Sequence, residues 1–287
     1  MSRVAYVNGQ YVPHGQAVVH VEDRGFQFGD GVYEVFGIAA GRLMDFEGHM
    51  KRLERSLDEL RIDRPMTREA LTRVVRETVR RNRVRNGLAY LQVTRGTARR
   101  DHVFPAPGTP PSVVITVKSL AFAKLDAVAE KGVAAITHPD IRWGRCDIKT
   151  VNLLPNVLAK QAARERGAAE VFMVDDMGLV TEGGASNVWI VDKAGKLRTR
   201  DIQSNILRGI TRDGLLAIIA EEGLELDERP FTADEVKSAR EAFISSATTF
   251  ATPVVSLDGA KIGDGKPGPV ALKLRRLYLE RAKGRAE

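Results

Sequence analysis

Hydrophobic residues alternate between strand spacing and helix spacing along almost the whole chain, and this alternation limits the fold to the mixed α/β class. Asn8-Gly9 lies between two short apolar runs, 4–7 and 11–12, and predicts a hairpin because both residues tolerate a positive φ. The other elements predicted before residue 119 are helices around 50–60 and 71–79 and strands at 88–94 and 112–118.

A polar, alanine-rich stretch at 119–131 is predicted to link two domains. Residues 1–118 form the expected small N-terminal α/β domain, and 132–287 form a larger mixed-sheet domain. Its predicted elements are strands near 133–137, 171–175, 188–192, 242–245 and 253–257, and helices near 156–166 and 209–222. Since no internal repeat interrupts this pattern, we predict a two-domain α/β (α+β) protein.

Composition argues against several classes of protein. The single cysteine, Cys146, allows neither an intramolecular disulfide nor a cysteine-based zinc site, and the five histidines lack the spacing of metal ligands, so no metal is expected. The longest apolar runs are too short to span a bilayer, which predicts a cytoplasmic protein without a membrane partner. The net charge is +7, but the arginine-rich run 73–85 also carries apolar residues at helical spacing. We interpret the arginines as a solvated helix face and expect no nucleic-acid partner.

One lysine stands out in the charged segment 140–152. Lys149 lies between Ile148 and Val151, and a lysine that is desolvated or placed beside other cations can become an amine nucleophile. From these residues alone, a lysine that extends from a strand into solvent is the better interpretation.

Two further segments combine small residues with groups that can bind a ligand. In 181–187, glycines allow close approach of the backbone, and Glu182 could keep a heterocyclic nitrogen protonated, although a glycine-rich turn is the simpler interpretation. In 206–212, a helix begins near Gly209 and Thr211, and its free N–H groups could bind phosphate. An ordinary helix cap explains Thr211 equally well.

Taken together, these segments resemble the fold-type IV class of pyridoxal phosphate (PLP) enzymes, also called class IV aminotransferases. The similarity covers nearly the whole chain, and its motifs occur in the family's order. They lie at 22–35, 49–53, 92–105, 141–160, 181–188, 206–212 and 245–253.

The resemblance implies a role for each matching position. Lys149 would hold PLP as a Schiff base and move a proton between the substrate Cα and the cofactor, and Glu182 would pair with the pyridinium nitrogen. Arg142 matches an arginine near the entrance of the family's active site. The implied phosphate contacts are Arg52, Ile210, Thr211 and Thr248, and Leu207 would pack against the ring.

Substrate recognition is implied by the loop at 94–105. Arg100 and His102 resemble the carboxylate trap of bacterial D-amino-acid transaminases, in which they would bind the substrate α-carboxylate together with Tyr33. Alternation as in a strand would direct both side chains to one side, whereas Arg99 beside Arg100 also fits a flexible basic loop. In that family the loop reaches the neighbouring subunit's site, which implies a homodimer.

The expected reaction is PLP-dependent transamination between a D-amino acid and a 2-oxo acid, such as D-alanine with 2-oxoglutarate to give pyruvate and D-glutamate. An L-branched-chain aminotransferase and 4-amino-4-deoxychorismate lyase would share Lys149 and Glu182. Tyr33, Arg100 and His102 favour the D-amino-acid reaction over both. A basic nucleic-acid-binding protein is the alternative that is not an enzyme.

Overall fold

The computed structural model describes residues 3–202 and 205–284, which form two compact units. The first unit comprises the described residues up to Ala121 together with Ile148–Asn152, and the second comprises Phe122–Asp147 and the described residues from Leu153 onwards. Each unit contains its own sheet and helices, so the predicted mixed α/β class is confirmed.

The first unit is built on a six-stranded antiparallel sheet with the strand order β2-β1-β6-β5-β3-β4. Its elements are β1 (Val4–Val7), β2 (Gln10–Pro13), α1 (Arg24–Phe28), β3 (Gly31–Ala39), β4 (Arg42–Leu43), α2 (Phe46–Glu59), α3 (Arg68–Asn82), β5 (Gly87–Thr94) and β6 (Ser112–Ser119), with a short 3₁₀ helix at His14–Gln16. The hairpin predicted at Asn8-Gly9 joins β1 to β2, with φ of 45° and 97° at its two residues.

Helices α2 and α3 cover the sheet with their apolar sides. Met50, Leu53 and Leu57 of α2 are buried at helical spacing, in one core with Val32 and Phe36 of β3. The opposite side of α3 is polar: Arg80 and Arg81 are exposed and both pair with Glu77. This arrangement supports the interpretation of the arginines as a solvated face.

The second unit is built on a nine-stranded mixed sheet with the order β12-β11-β10-β13-β14-β7-β8-β9, and β15 pairs with β14. Its strands are β7 (Val133–Pro139), β8 (Glu170–Val174), β9 (Val180–Gly183), β10 (Asn187–Val191), β11 (Leu197–Thr199), β12 (Leu226–Glu228), β13 (Glu241–Ser246), β14 (Phe250–Leu257) and β15 (Ala260–Lys261). Its helices are α4 (Phe122–Lys131), α5 (Leu154–Glu165), α6 (Ile210–Glu221), α7 (Ala233–Ser238) and α8 (Pro269–Gly284). The β14–β7, β7–β8 and β11–β12 pairs are parallel.

The compact units differ from the predicted domain boundaries in two places. Most of the stretch predicted as a linker, 119–131, is helix α4 of the second unit. Its Phe122, Leu125 and Ala129 recur at helical spacing, and the Phe122 ring packs edge-on against Phe250 with centroids 5.2 Å apart. The second difference is Ile148–Asn152, which was predicted within the large domain and lies in the first unit.

Within the described ranges, none of the helices combines the length and the apolar character that crossing a membrane requires.

Candidate active site

The segment Ile148–Asn152 lies along the edge of strand β3 in the first unit. The backbone N–H of Tyr33 donates to the Lys149 carbonyl at 3.0 Å, and the N–H of Val151 donates to the Gly31 carbonyl at 3.1 Å. On the same edge of β3, strand β4 pairs with Ile38 and Ala39, so the part of the edge near Tyr33 is available to this segment. The backbone of Lys149 is therefore held directly beside Tyr33.

The side-chain amine of Lys149 faces the phenol of Tyr33. Lys149 Nζ donates to the Tyr33 hydroxyl at 3.3 Å and lies 4.4 Å from the centroid of the same ring. The Tyr33 ring stacks on Tyr90 with centroids 5.5 Å apart, and the Tyr90 hydroxyl donates to Gln92 Oε1 at 2.6 Å. Burial, followed by the neighbouring Tyr33, raises the pKa of Tyr90 to about 12. Tyr33 thus packs on a ring that stays neutral at physiological pH.

The guanidinium of Arg52, on α2, pairs with a carboxylate that was not assigned from the sequence. Arg52 Nε and Nη2 each donate to Glu34 at 2.7 Å, and His49 Nδ1 lies 2.7 Å from Glu34 Oε2. Glu34 is completely buried on β3. This bidentate pair orients the guanidinium, and phosphate binding by Arg52 stays a prediction.

The charges of this buried group follow from its contacts. Burial favours a raised pKa for Glu34, but the charge and hydrogen bonds of Arg52 outweigh it and lower the pKa of Glu34 to about 2. Burial also lowers the pKa of His49, against the opposing effect of Glu34. At neutral pH, Glu34 is therefore ionised and His49 is uncharged.

Arg100 and His102 lie in the irregular loop between β5 and β6, and both side chains are exposed. The strand alternation expected there is wrong, since residues 99–103 form no strand. The two side chains nevertheless approach one ring, that of Phe28 at the end of α1. Arg100 Cζ lies 5.2 Å from its centroid, and the His102 centroid lies 5.6 Å away. The loop thus brings together the two side chains that are predicted to bind the substrate carboxylate.

In the second unit, Glu182 lies on β9 and is held by a buried arginine. Arg142 Nη1 is 3.2 Å from Glu182 Oε1, and the backbone N–H of Leu207 donates to the same oxygen. Arg142 also donates to Asp140 through Nε at 2.9 Å and Nη2 at 2.7 Å, and through Nη2 to Thr181 Oγ1 at 3.3 Å. The carboxylate of Glu182 therefore has a fixed orientation.

Arg142 balances two carboxylates in a largely dry environment, since only 8% of its side chain is exposed. Burial favours a lowered pKa for Arg142, but its hydrogen bonds to Asp140 and the charges of Glu182 and Asp140 raise the pKa. For Asp140, burial favours a raised pKa, and the hydrogen bond and charge of Arg142 lower it. Arg142 thus supports Glu182, a role that its implied place near an entrance did not indicate.

Ile210 and Thr211, two of the residues predicted to bind phosphate, lie at the start of α6. Asn187 Nδ2 donates to the Leu207 carbonyl at 3.0 Å, and Gly209 caps the helix without a side-chain hydrogen bond. A Cβ at Gly209 would lie 2.0 Å from Asn187 Oδ1, so this close approach requires glycine. The Thr211 hydroxyl is buried and has no hydrogen-bond partner among the residues that the structure describes. It lies in the first helical turn with Ile210, where backbone N–H groups lack intrahelical partners.

Thr248 lies in the turn between β13 and β14. The Ser246 hydroxyl is 3.0 Å from Thr248 Oγ1 and 2.9 Å from Thr249 Oγ1, and it accepts hydrogen bonds from the backbone N–H groups of both threonines. The turn follows the pairing of Ser245 with Asn187, the residue that also holds Leu207. Ser246 thus shapes the turn, and phosphate contact by Thr248 stays a prediction.

Several supporting residues were not assigned from the sequence, and one of them left a signal there. Val32, Glu34 and Phe36 alternate along β3 toward the core, so Glu34 is a charged residue at an apolar position, which requires a buried partner. Phe28, Asp140 and Ser246 left no comparable signal, because their contacts depend on turns and on residues distant in sequence.

The comparisons with known proteins define the class. The family model for amino-transferase class IV matches residues 31–257, and the chain therefore belongs to this family of aminotransferases. It is 43% identical over 263 residues to a D-alanine aminotransferase of Bacillus licheniformis, and the aligned residues cover 92% of this chain and 91% of that relative. It is 41% identical over 271 residues to the D-alanine aminotransferase of Staphylococcus haemolyticus, and the aligned residues cover 94% of each chain.

Solved structures similar to this fold include branched-chain amino acid aminotransferases. The Escherichia coli enzyme superimposes with a TM-score of 0.92 at 26% identity and covers 100% of this chain and 97% of that chain. The T.th. enzyme with pyridoxamine 5'-phosphate has a TM-score of 0.90 at 29% identity and covers 99% of this chain and 95% of that chain. The predicted fold-type IV architecture is thereby confirmed.

Proposed function

We propose that this enzyme catalyses PLP-dependent transamination between a D-amino acid and a 2-oxo acid, such as D-alanine and 2-oxoglutarate. The observation that carries the choice of the D isomer is the similarity to D-alanine aminotransferases, at 41% and 43% identity over more than nine tenths of the chain. The branched-chain enzymes named above share the fold but are only 26% and 29% identical.

The residues present fit PLP. The buried Thr211 hydroxyl has no partner among the described residues and lies next to the start of α6, where Gly209 caps the helix without a side-chain hydrogen bond; this end of the helix offers donors for a phosphate. The oriented carboxylate of Glu182 can accept a hydrogen bond from a protonated ring nitrogen, and the amine of Lys149 can join an aldehyde. Further proposed contacts are Arg52, Ile210 and Thr248 to the phosphate and Leu207 to the ring.

PLP, when bound, supplies an aldehyde that takes up the amino group and a ring that withdraws electrons from the substrate Cα. Lys149 would move a proton in each half-reaction: its amine would take a proton from the substrate Cα and pass it to the cofactor in the first, and would carry a proton in the reverse direction, to Cα, in the second. The Tyr33 hydroxyl, 3.3 Å from Nζ, holds the amine in place. Because the first product leaves before the second substrate binds, ping-pong kinetics are expected.

Arg100 and His102 are proposed to bind the substrate α-carboxylate together with Tyr33. A guanidinium, an imidazole and a phenol can provide convergent donors to one carboxylate. Amino donor and amino acceptor both carry this group, so the same residues serve both half-reactions.

A homodimer is proposed as the working assembly. Several large apolar side chains of the first unit are exposed, as expected of a surface that a second subunit covers. They are Val18, Val21, Phe26 and Val103, and between 67% and 75% of each is accessible. Light scattering coupled to size-exclusion chromatography measures the assembly directly. The cytoplasmic location and the absence of a nucleic-acid partner stay predictions.

An L-branched-chain aminotransferase is the second candidate, favoured by the close superposition on the Escherichia coli enzyme. The two candidates are separated by incubating the enzyme with D-alanine, L-alanine or L-leucine in the presence of 2-oxoglutarate. Pyruvate is assayed with lactate dehydrogenase and glutamate by chiral chromatography. We expect pyruvate and D-glutamate from D-alanine alone. Formation of L-glutamate from L-leucine, without reaction of D-alanine, would establish the second candidate.

A further inference from the structure

Two exposed side chains in an irregular loop can bind one carboxylate together only if something limits their rotamers. Arg100 and His102 both contact the ring of Phe28. Arg100 Cζ lies 5.2 Å from the ring centroid, and the imidazole lies 5.6 Å away with its plane inclined by 53°. Both distances fall within the ranges of cation–π and aromatic pairs. The ring therefore provides one surface that restrains both groups.

Arg24 connects this ring to the centre of the loop. Its Nη1 donates to the Asp101 carbonyl at 2.7 Å, and Asp101 lies between Arg100 and His102 in sequence. Arg24 Cζ also lies 4.7 Å from the Phe28 centroid, and only 4% of the side chain is exposed. One buried guanidinium thus fixes the ring and the loop backbone relative to each other.

The first part of the loop is anchored by the same network. Asp30 accepts hydrogen bonds from Arg24 Nε at 2.8 Å and from Arg95 Nε at 2.7 Å. Arg95 Cζ lies 3.7 Å from the centroid of the Phe104 ring. Phe104 follows Arg100 and His102 in sequence, whereas Arg95 precedes them. The loop is held on both sides of Arg100 and His102, so the surface on Phe28 is formed before substrate binds.

We propose that Phe28 is a positioning residue for substrate binding: its ring sets the spacing and direction of Arg100 and His102 so that both donate to the α-carboxylate. Arg24 holds the ring against the loop. This inference rests on the proposed function, in which these two side chains bind the carboxylate. Since amino donor and amino acceptor share that group, loss of the ring affects the binding of both.

The test replaces the ring while keeping apolar bulk. Phe28→Leu and Phe28→Met remove the aromatic face, and Phe28→Tyr retains it. In the holoenzyme we expect the first two variants to raise KM for D-alanine and for 2-oxoglutarate about tenfold, with kcat within about twofold of wild type. Phe28→Tyr is expected to have wild-type KM values for both substrates. The visible absorbance of the cofactor and the melting temperature are measured for each variant and are expected to stay unchanged.

Two comparisons separate positioning from general packing. Phe122→Leu makes the same change at a ring of the second unit that packs edge-on against Phe250, and its KM values are expected to match wild type. In an Arg100→Ala background, Phe28→Leu should raise KM by a smaller factor than it does alone, because one of the two groups that the ring positions is missing. Additive effects of the two substitutions, or wild-type KM in Phe28→Leu, would overturn the role of Phe28.

The Arg100→Ala variant also distinguishes this inference from the proposed function. If Arg100→Ala leaves KM unchanged, carboxylate binding by the loop fails, and the role of Phe28 fails with it. If Arg100→Ala raises KM and Phe28→Leu does not, only the role of Phe28 fails. Lack of wild-type activity with D-alanine refutes the proposed function before any variant is compared.

Discussion

Glu34→Gln removes the negative charge from the buried pair with Arg52 while keeping the size of the side chain. Glu34 is completely buried and is bound by both Arg52 and His49. The amide replaces one of the two acceptor oxygens by an NH2 donor, so the substitution disrupts the bidentate pair and removes the negative charge that balances a buried cation. We expect a loss of stability that depends on pH.

The size of the effect follows from the carboxyl pKa. It lies at about 2 in the folded protein against an ordinary value of 4.5, because the pair with Arg52 outweighs burial. The difference corresponds to about 3 kcal/mol of stability at neutral pH, at ~1.4 kcal/mol per pH unit. Since the pKa of the folded state is the lower one, this contribution is complete above pH 4.5 and is lost as the pH falls toward 2. At pH 3.5, about 1 kcal/mol has been lost.

Urea denaturation followed by far-UV circular dichroism measures this contribution at pH 7 and pH 3.5. Trp143 and Trp189 both belong to the second unit, so tryptophan fluorescence follows the unfolding of that unit. Comparison with the circular dichroism signal then shows whether the substitution destabilises the first unit alone. Glu34→Gln should unfold with about 3 kcal/mol less free energy than wild type at pH 7, and the gap should narrow to about 2 kcal/mol at pH 3.5.

An ion pair on the surface of the same unit provides the control. Asp58 and Arg64 lie 3.0 Å apart with 58% and 53% of their side chains exposed, so Asp58→Asn should change stability by about 0.5 kcal/mol or less. The explanation fails if Glu34→Gln is as stable as this control at pH 7, or if its deficit is the same at both pH values.

Three further predictions concern the proposed cofactor site. Lys149→Ala should reduce D-alanine turnover by more than about 10³-fold and shift the visible absorbance of the PLP-loaded protein; an unchanged spectrum contradicts the assignment. Thr211→Val should weaken PLP binding about tenfold in a fluorescence titration of the apoprotein, because a buried hydroxyl no longer contacts the phosphate, and equal affinity would exclude that contact. Arg142→Met should lower stability by about 3 kcal/mol at pH 7, measured by urea unfolding, because Asp140 and Glu182 lose their shared cation. Adding Asp140→Asn should recover part of that loss, and no recovery contradicts the charge argument.

Regular hydrophobic spacing made much of the fold predictable from the sequence. The hairpin at Asn8-Gly9 needs only local backbone preferences, and helices α2, α3 and α6 each bury residues at helical spacing. Strand β3 was not predicted, because a buried glutamate and two glycines interrupt its apolar pattern. Helix α4 was missed for a related reason: much of its surface is exposed, and its alanines and charges resemble a linker.

In the candidate site, residues that match the family's motifs were predicted from the sequence, whereas the side chains that hold them in place were not. The resemblance identified groups that would face cofactor or substrate, such as Lys149, and the structure adds the Tyr33 hydroxyl at 3.3 Å from its amine. The carboxylate held by Arg52 and the ring shared by Arg100 and His102 were not predicted, because the register of β3 and the fold of the loop bring them together. Pairings of this kind have no fixed spacing in sequence.

Three predicted functional groups are each held by a side chain from another segment: Arg52 by Glu34, Glu182 by Arg142, and the pair Arg100 and His102 by Phe28. The first two supports are charged and buried, so their removal takes away the charge that balances a buried group and lowers stability together with function. The support from Phe28 is an uncharged ring beside exposed groups, and its removal leaves no buried charge. Substitutions at Phe28 can therefore change substrate binding while the fold is maintained, whereas substitutions at Glu34 or Arg142 change both.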